Sequence, residues 1–85
     1  MTGKELKHFF KEHLVPSKLY KIGGKHNKRI CLEKDKKTGS WIVFFAEKKD
    51  KVGLTRYNDE ASACAAMKEE ICKLMKLMYG VSFTA

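Results

Sequence analysis

Apolar and polar positions along the chain follow two different rhythms, and the change between them marks out the elements. At the start, Leu6, Phe9, Phe10, His13 and Leu14 recur at helical steps, and Lys4, Lys7, Lys11 and Glu12 fall mainly on the other side. That spacing predicts an amphipathic helix with one inner face. Thr2-Gly3-Lys4-Glu5 is a capping-box pattern, and Pro16 disfavours helical backbone in the residue before it. The helix is therefore expected over about 3–14. The period then drops to two. Leu19-Tyr20-Lys21-Ile22 reads as a short strand closed by Gly23-Gly24, and residues 25–28 as a polar loop. Residues 29–34 alternate, with Ile30 and Leu32 on one side and Cys31 and Glu33 on the other. Residues 35–40 form a turn region in which Gly39 can take a positive φ.

Residues 41–47 are almost continuously aromatic or β-branched, with Trp41, Val43 and Phe45 on one face and Ile42 and Phe44 on the other. A strand apolar on both faces belongs in the middle of a sheet, one face toward the helices and the other covered or left as an apolar patch. Residues 48–51 make the next turn and 53–57 the last strand. Asn58 or Asp59 caps a second helix, whose stripe is Glu60, Ala63, Cys64, Met67, Ile71, Leu74 and Met78, with Gly80 as its stop. The order is α-β-β-β-β-α. Short connections between the later strands predict an α+β fold: an antiparallel meander of three or four strands with two helices packed on one face. The 85 residues are expected to form a single domain, 1–85.

A chain this short buries a modest core, and a deep substrate cavity would compete with that core for the same side chains. The net charge of +8 attracts something negative, whether nucleic acid, an anionic membrane or an acidic protein face; a solvated lysine coat is the alternative. Most of the excess is lysine, with only Arg29 and Arg56 for the bidentate contacts that nucleic-acid readers favour. No apolar run approaches the roughly 18 residues of a membrane span, so no membrane partner is expected. The first residues are amphipathic rather than signal-like, which points to the cytoplasm or to export by another route.

Candidate chemistry is sparse. Cys31, Cys64 and Cys72 are odd in number and lack a C-x-x-C pair, which argues against a disulfide framework or a zinc site. Cys64 and Cys72 would lie roughly 12 Å apart along one helix, too far to bridge. Cys31 is left to reach either, but reduced thiols are the expectation. His8 and His13 are five residues apart and do not make the i, i+4 pair of a helical metal site. His26 lies in a basic loop with no evident nucleophile beside it. Glu33, Asp35, Glu47 and Asp50 stand among lysines, where surface ion pairs explain them more simply than acid–base work. Met67, Met75 and Met78 read as core filler, with an adaptable partner surface as the alternative. No catalysis and no cofactor are expected.

The basic turns carry more weight. Lys34, Lys36 and Lys37 sit in one turn and Lys48, Lys49 and Lys51 in the next, and alternate turns of a meander leave from opposite ends of the sheet. Lys25, Lys28 and Arg29 precede the second strand at the end where the Lys48 turn emerges. Lys25, Lys28, Arg29, Lys48, Lys49 and Lys51 are therefore the expected partner-binding set. Trp41 is expected in the core rather than at an interface.

Four pieces in order, P-S-K-L-Y-K-I-G-G, R-I-C-L-E-K, W-I-V-F-F-A-E-K-K and Y-N-D-E-A-S-A-C, span Pro16 to Met67. This stretch resembles the small immunity proteins of bacterial polymorphic-toxin and contact-dependent growth inhibition systems. In that family an aromatic strand opens with Trp and closes with Glu and a basic residue, ahead of a helix starting E-x-x-A-C. The resemblance implies an inhibitor that binds the C-terminal domain of a cognate toxin, with a nuclease as one candidate, and with no catalysis of its own. The charge departs from the pattern, because immunity proteins against nucleases are often acidic. Either the toxin presents an acidic face or binding lies away from its cleft. The alternative is a small basic nucleic-acid-binding domain resembling a double-stranded-RNA-binding or integrase arm-binding module. Against it, the second helix opens with the acidic N-D-E-A-S-A-C, which repels a phosphate backbone.

Overall fold

The computed structural model describes residues 1–82. Helix α1 runs Gly3–Glu12, a short 3-10 turn Ser17–Leu19 follows, and strands β1 (Tyr20–Ile22), β2 (Ile30–Lys34), β3 (Trp41–Glu47) and β4 (Asp50–Tyr57) lead into helix α2 (Glu60–Tyr79). The α+β class and the α-β-β-β-β-α order hold. The four strands form one sheet in the order β1-β2-β3-β4.

The sheet is not antiparallel throughout, which corrects the expected meander. β2–β3 and β3–β4 are antiparallel, but β1 runs parallel to β2, with Tyr20 opposite Ile30 and Ile22 opposite Leu32. Parallel neighbours usually need a long crossover. β1 escapes that demand because it has three residues. The chain returns only about 7 Å to start β2 alongside it, well within the reach of the loop over 23–29. Gly23 and Gly24 turn at φ 89° and 154°, and the Gly23 N–H still donates to the Leu32 carbonyl at 2.8 Å.

The hairpin between β3 and β4 is also tighter than the sequence pattern suggests. Its loop is Lys48 and Lys49 alone, because Glu47 faces Asp50, so β4 begins at Asp50 rather than Gly53. Gly53 lies mid-strand at φ 64°, where the register between Val43 and Phe45 slips by one residue. A glycine in left-handed backbone is how an antiparallel edge strand accommodates one extra residue.

Both helices cover the face of the sheet that carries Leu32 and Val43. Leu6 and Phe10 of α1 and Ala63, Cys64, Met67, Ile71 and Met75 of α2 share one buried core with them. The helices run side by side in the same direction: the Gly3 N–H donates to Glu60 Oε2 at 2.9 Å, and Lys68 Nζ lies 4.2 Å from the centre of the Phe9 ring. Two details of the expected helix faces change. Leu14 is 85% exposed, because α1 ends before it and Val15 takes the inward place; Met78 is exposed, because the stripe continues by steps of four from Met67 through Ile71 to Met75. The opposite face buries a second cluster, Cys31, Ile42, Phe44 and Ala46. Among the described residues neither α1 nor α2 lies over it. The 25–29 loop reaches it, with the His26 N–H 3.5 Å from Cys31 Sγ, and Lys51 Nζ sits 4.9 Å from the centre of the Phe44 ring.

Candidate functional site: the basic end of the sheet and the open edge

The loop over 25–29 and the Lys48–Lys49 turn meet at one end of the sheet. The Lys28 N–H donates to the Ala46 carbonyl at 2.6 Å, and the Ala46 N–H donates to the Arg29 carbonyl at 3.0 Å, so the end of the loop joins the β2–β3 ladder. The Asn27 side-chain oxygen then accepts the Lys48 N–H. These bonds hold Lys28, Arg29 and Lys48 on one rim, with Lys25 in the same loop and Lys49 in the same turn. Lys25, Lys28, Lys48 and Lys49 are exposed and Arg29 is half-buried. Among the described residues, the ion pairs are made by His8, Lys51, Arg56 and Lys73, and none of these five cations takes part.

The sixth expected member, Lys51, points elsewhere. Its ammonium bonds Glu33 Oε1 at 3.0 Å on the helix-free face of the sheet. Arg56 does the same further along, with Nη1 2.7 Å from Asp35 Oδ2 and 3.1 Å from Ser40 Oγ. The Asp35 carboxyl is held below the usual carboxylate range, first by the hydrogen bond from Arg56 and then by the backbone N–H of Lys37. Lys36 and Lys37 therefore form a separate basic turn at the opposite end of the sheet, built around Asp35.

No family model, curated protein or solved structure matches the chain.

The thiols and two of the three histidines are buried, half-buried or engaged with neighbouring side chains. Burial pushes the thiols of Cys31, Cys64 and Cys72 above their ordinary value, so at neutral pH they stand as thiols. All three cysteines are free, and Cys31 lies on the opposite face of the sheet from Cys64. His8 Nε2 bonds Glu12 Oε1 at 2.7 Å, and His13 stacks on Phe9 with ring centres 4.1 Å apart. Among the described residues no group of three His, Cys, Asp or Glu side chains comes together to hold a metal ion, and no helix is long and apolar enough to cross a membrane. Trp41 is half-buried and packs against the main core.

The sequence pattern did not reveal the edge of the sheet. β4 is the last strand, and every residue from Asp50 to Arg56 is exposed. Beside it, between β3–β4 and α2, lies a cleft of about 430 Å³ with Phe45, Val52, Thr55 and Tyr57 on the sheet side and Ala66, Glu69 and Glu70 on the helix side. The small side chain of Ala66 leaves this gap open. The available signals were the run of small residues from Ala61 to Ala66 at the start of the second helix and the apolar Val52 just before Gly53. The reading of 53–57 as a short strand hid them.

Proposed function

We propose that the protein binds and neutralises a cognate bacterial protein toxin in the cytoplasm, one molecule to one, through a protein–protein interface. The observation that carries this reading is the basic rim. Five cations without carboxylate partners stand on a loop and a turn stapled together by backbone and Asn27 hydrogen bonds. Preorganised charge of one sign speeds encounter with a complementary face and suppresses wrong partners. The part of the partner that meets this rim is therefore acidic, and for a nuclease toxin that places the rim contact away from the phosphate-binding cleft. The resemblance over Pro16 to Met67 supplies the class of partner, and the raised pKa values of all three thiols favour binding over turnover.

The test is co-expression with the C-terminal domain of the toxin encoded beside it. Growth rescue and a one-to-one complex are expected, with a dissociation constant of about 1 nM or tighter, near −12 kcal/mol. Toxin that stays active at equimolar mixing would defeat the reading. The same unpaired cations favour nucleic acid as a second reading. Retention on duplex RNA that falls steeply with salt would support it, against the acidic Asp59 and Glu60 at the start of α2.

A further inference from the structure

We infer that the open edge of β4 takes up an extended segment of the partner protein as a fifth strand, with an apolar side chain of that segment seated in the cleft beneath α2 and a lysine or arginine of it against Glu69 and Glu70. This adds a second contact, beside the basic rim, to the binding role proposed above and rests on that role.

Edge strands in soluble proteins are usually blunted by outward charges, proline or bulges. β4 has one bulge at Gly53 and two cations, Lys51 and Arg56. Both cations are drawn back over the helix-free face, into pairs with Glu33 at 3.0 Å and Asp35 at 2.7 Å. Those two cations thus leave the exposed edge of this eight-residue strand uncovered. Among the described residues, the β4 side chain that bonds the strand's own backbone is Thr55, whose hydroxyl donates to the Gly53 carbonyl at 3.5 Å beside the bulge. On the helix side the strand shows Val52, 50% exposed, next to Phe45, 37% exposed. An added strand supplies main-chain hydrogen bonds along the edge, and every second side chain points toward the cleft.

Charge selects the occupant. The chain carries +8 overall, yet the helix wall of this cleft carries two carboxylates. Lys73 lies 3.4 Å from Glu69 and 3.9 Å from Glu70 and offsets one of them, which leaves a net negative spot beside an apolar floor. That pairing suits a segment with a cation two residues from an apolar side chain, both on one face of the strand. A second copy of this chain suits it less well, because two +8 molecules repel and self-pairing along β4 brings Lys51 and Arg56 of both copies together.

The probe is the synthetic peptide acetyl-Thr-Lys-Thr-Phe-Thr-Lys-Thr-Val-amide, which sets lysines, phenylalanine and valine on one face. It is titrated into the full ¹⁵N-labelled protein. Alternate β4 amides are expected to gain hydrogen-exchange protection, and the amides of Phe45 and Ala66 to shift. Glutamate in place of the two lysines, or methylation of alternate peptide nitrogens, should each weaken binding at least tenfold. The double variant Glu69→Lys/Glu70→Lys should reverse the preference between the lysine and glutamate peptides. Shifts confined to 25–29 and 48–49, equal binding of the methylated peptide, or a dimer that protects β4 without peptide would each overturn the inference. Failure here together with tight toxin binding would remove this second contact and leave the proposed function standing. Success here without toxin binding would do the reverse.

Discussion

Leu14, Lys28 and Lys48 hold left-handed backbone, at φ 56°, 61° and 53°, where glycine or asparagine is usual. For Leu14 the reason is the end of α1. Its N–H bonds the Lys11 carbonyl at 3.2 Å, and the next N–H, Val15, bonds the Phe10 carbonyl at 2.9 Å, the two bonds that close a helix with a left-handed residue. Val15 and Phe10 are both in the core, so the closure stays in place whatever residue 14 is. Leu14→Gly should therefore relieve strain of about 1 kcal/mol and raise the urea midpoint with an unchanged slope. Lys28→Gly and Lys48→Gly should stabilise in the same way, while slowing association with an acidic partner several-fold in stopped-flow mixing. Cysteine reactivity separates by burial. Cys72, half-buried, should be alkylated first at neutral pH, whereas Cys31 and Cys64 should react only as the fold opens, as peptide mass spectrometry can read.

The helices start with carboxylates that need their charge. Thr2 and Glu5 bond each other's backbone N–H at 3.2 and 2.9 Å, and Asp59 accepts the Ser62 N–H at 2.8 Å. Hydrogen bonds from Thr2 hold Glu5, and those from Ser62 hold Asp59, below their ordinary values of 4.5 and 3.8. A group depressed in the folded state adds stability that is whole above its unfolded pKa and disappears as pH falls through the folded one. The melting midpoint should hold steady from pH 7 to about pH 5 and drop below about pH 4. Asp59→Asn should keep the cap and flatten part of that drop, and Asp59→Ala should lower the midpoint at every pH. These caps were legible because they depend on residues three apart in the chain. The β3 strand was legible for a similar reason, since six apolar residues in a row, Trp41 to Ala46, bounded by turn signals leave one assignment. The direction of β1 was not legible, because it follows from how little distance three residues must be retraced, and the strand's length is set by tertiary pairing. The start of β4 was hidden by Gly53, which punctuates a turn in most sequences and here sits in a bulge. With it went the long open edge and the cleft, while the basic rim could be read from lysine positions and the ends of the meander.

Across the whole molecule the sheet has two unlike covers. Helices cover one face except at the cleft beside β4, while a loop and the drawn-back cations cover the other. Phe10→Ala opens the helix-covered side and should cost about 3–5 kcal/mol, a large share of the roughly 5–15 kcal/mol that holds a small domain folded. Phe44→Ala should fall at the low end of that range, because the 25–29 loop and the Lys51 stem can settle into the space. Lys51 decides what kind of cover this is. Its ion pair with Glu33 is partly open to water and is worth at most about 1 kcal/mol, and the ammonium over the Phe44 ring adds a contribution of similar size. Its four-carbon stem shields apolar surface whether or not the charge is present. If the stem dominates, Lys51→Met should change stability by less than about 0.5 kcal/mol while Lys51→Ala loses about 1 kcal/mol. If charge dominates, both should lose about the same, and 1 M salt should weaken the wild type toward them. The inward turn of this side chain predicts the stem result. It also predicts that Lys51→Met leaves the rate of association with the proposed partner unchanged, whereas Lys48→Glu and Lys49→Glu, on the rim, lower it about tenfold at low salt. Urea melts and stopped-flow traces on the same four variants measure both, and an equal loss of rate in Lys51→Met would place Lys51 among the rim cations that steer the encounter.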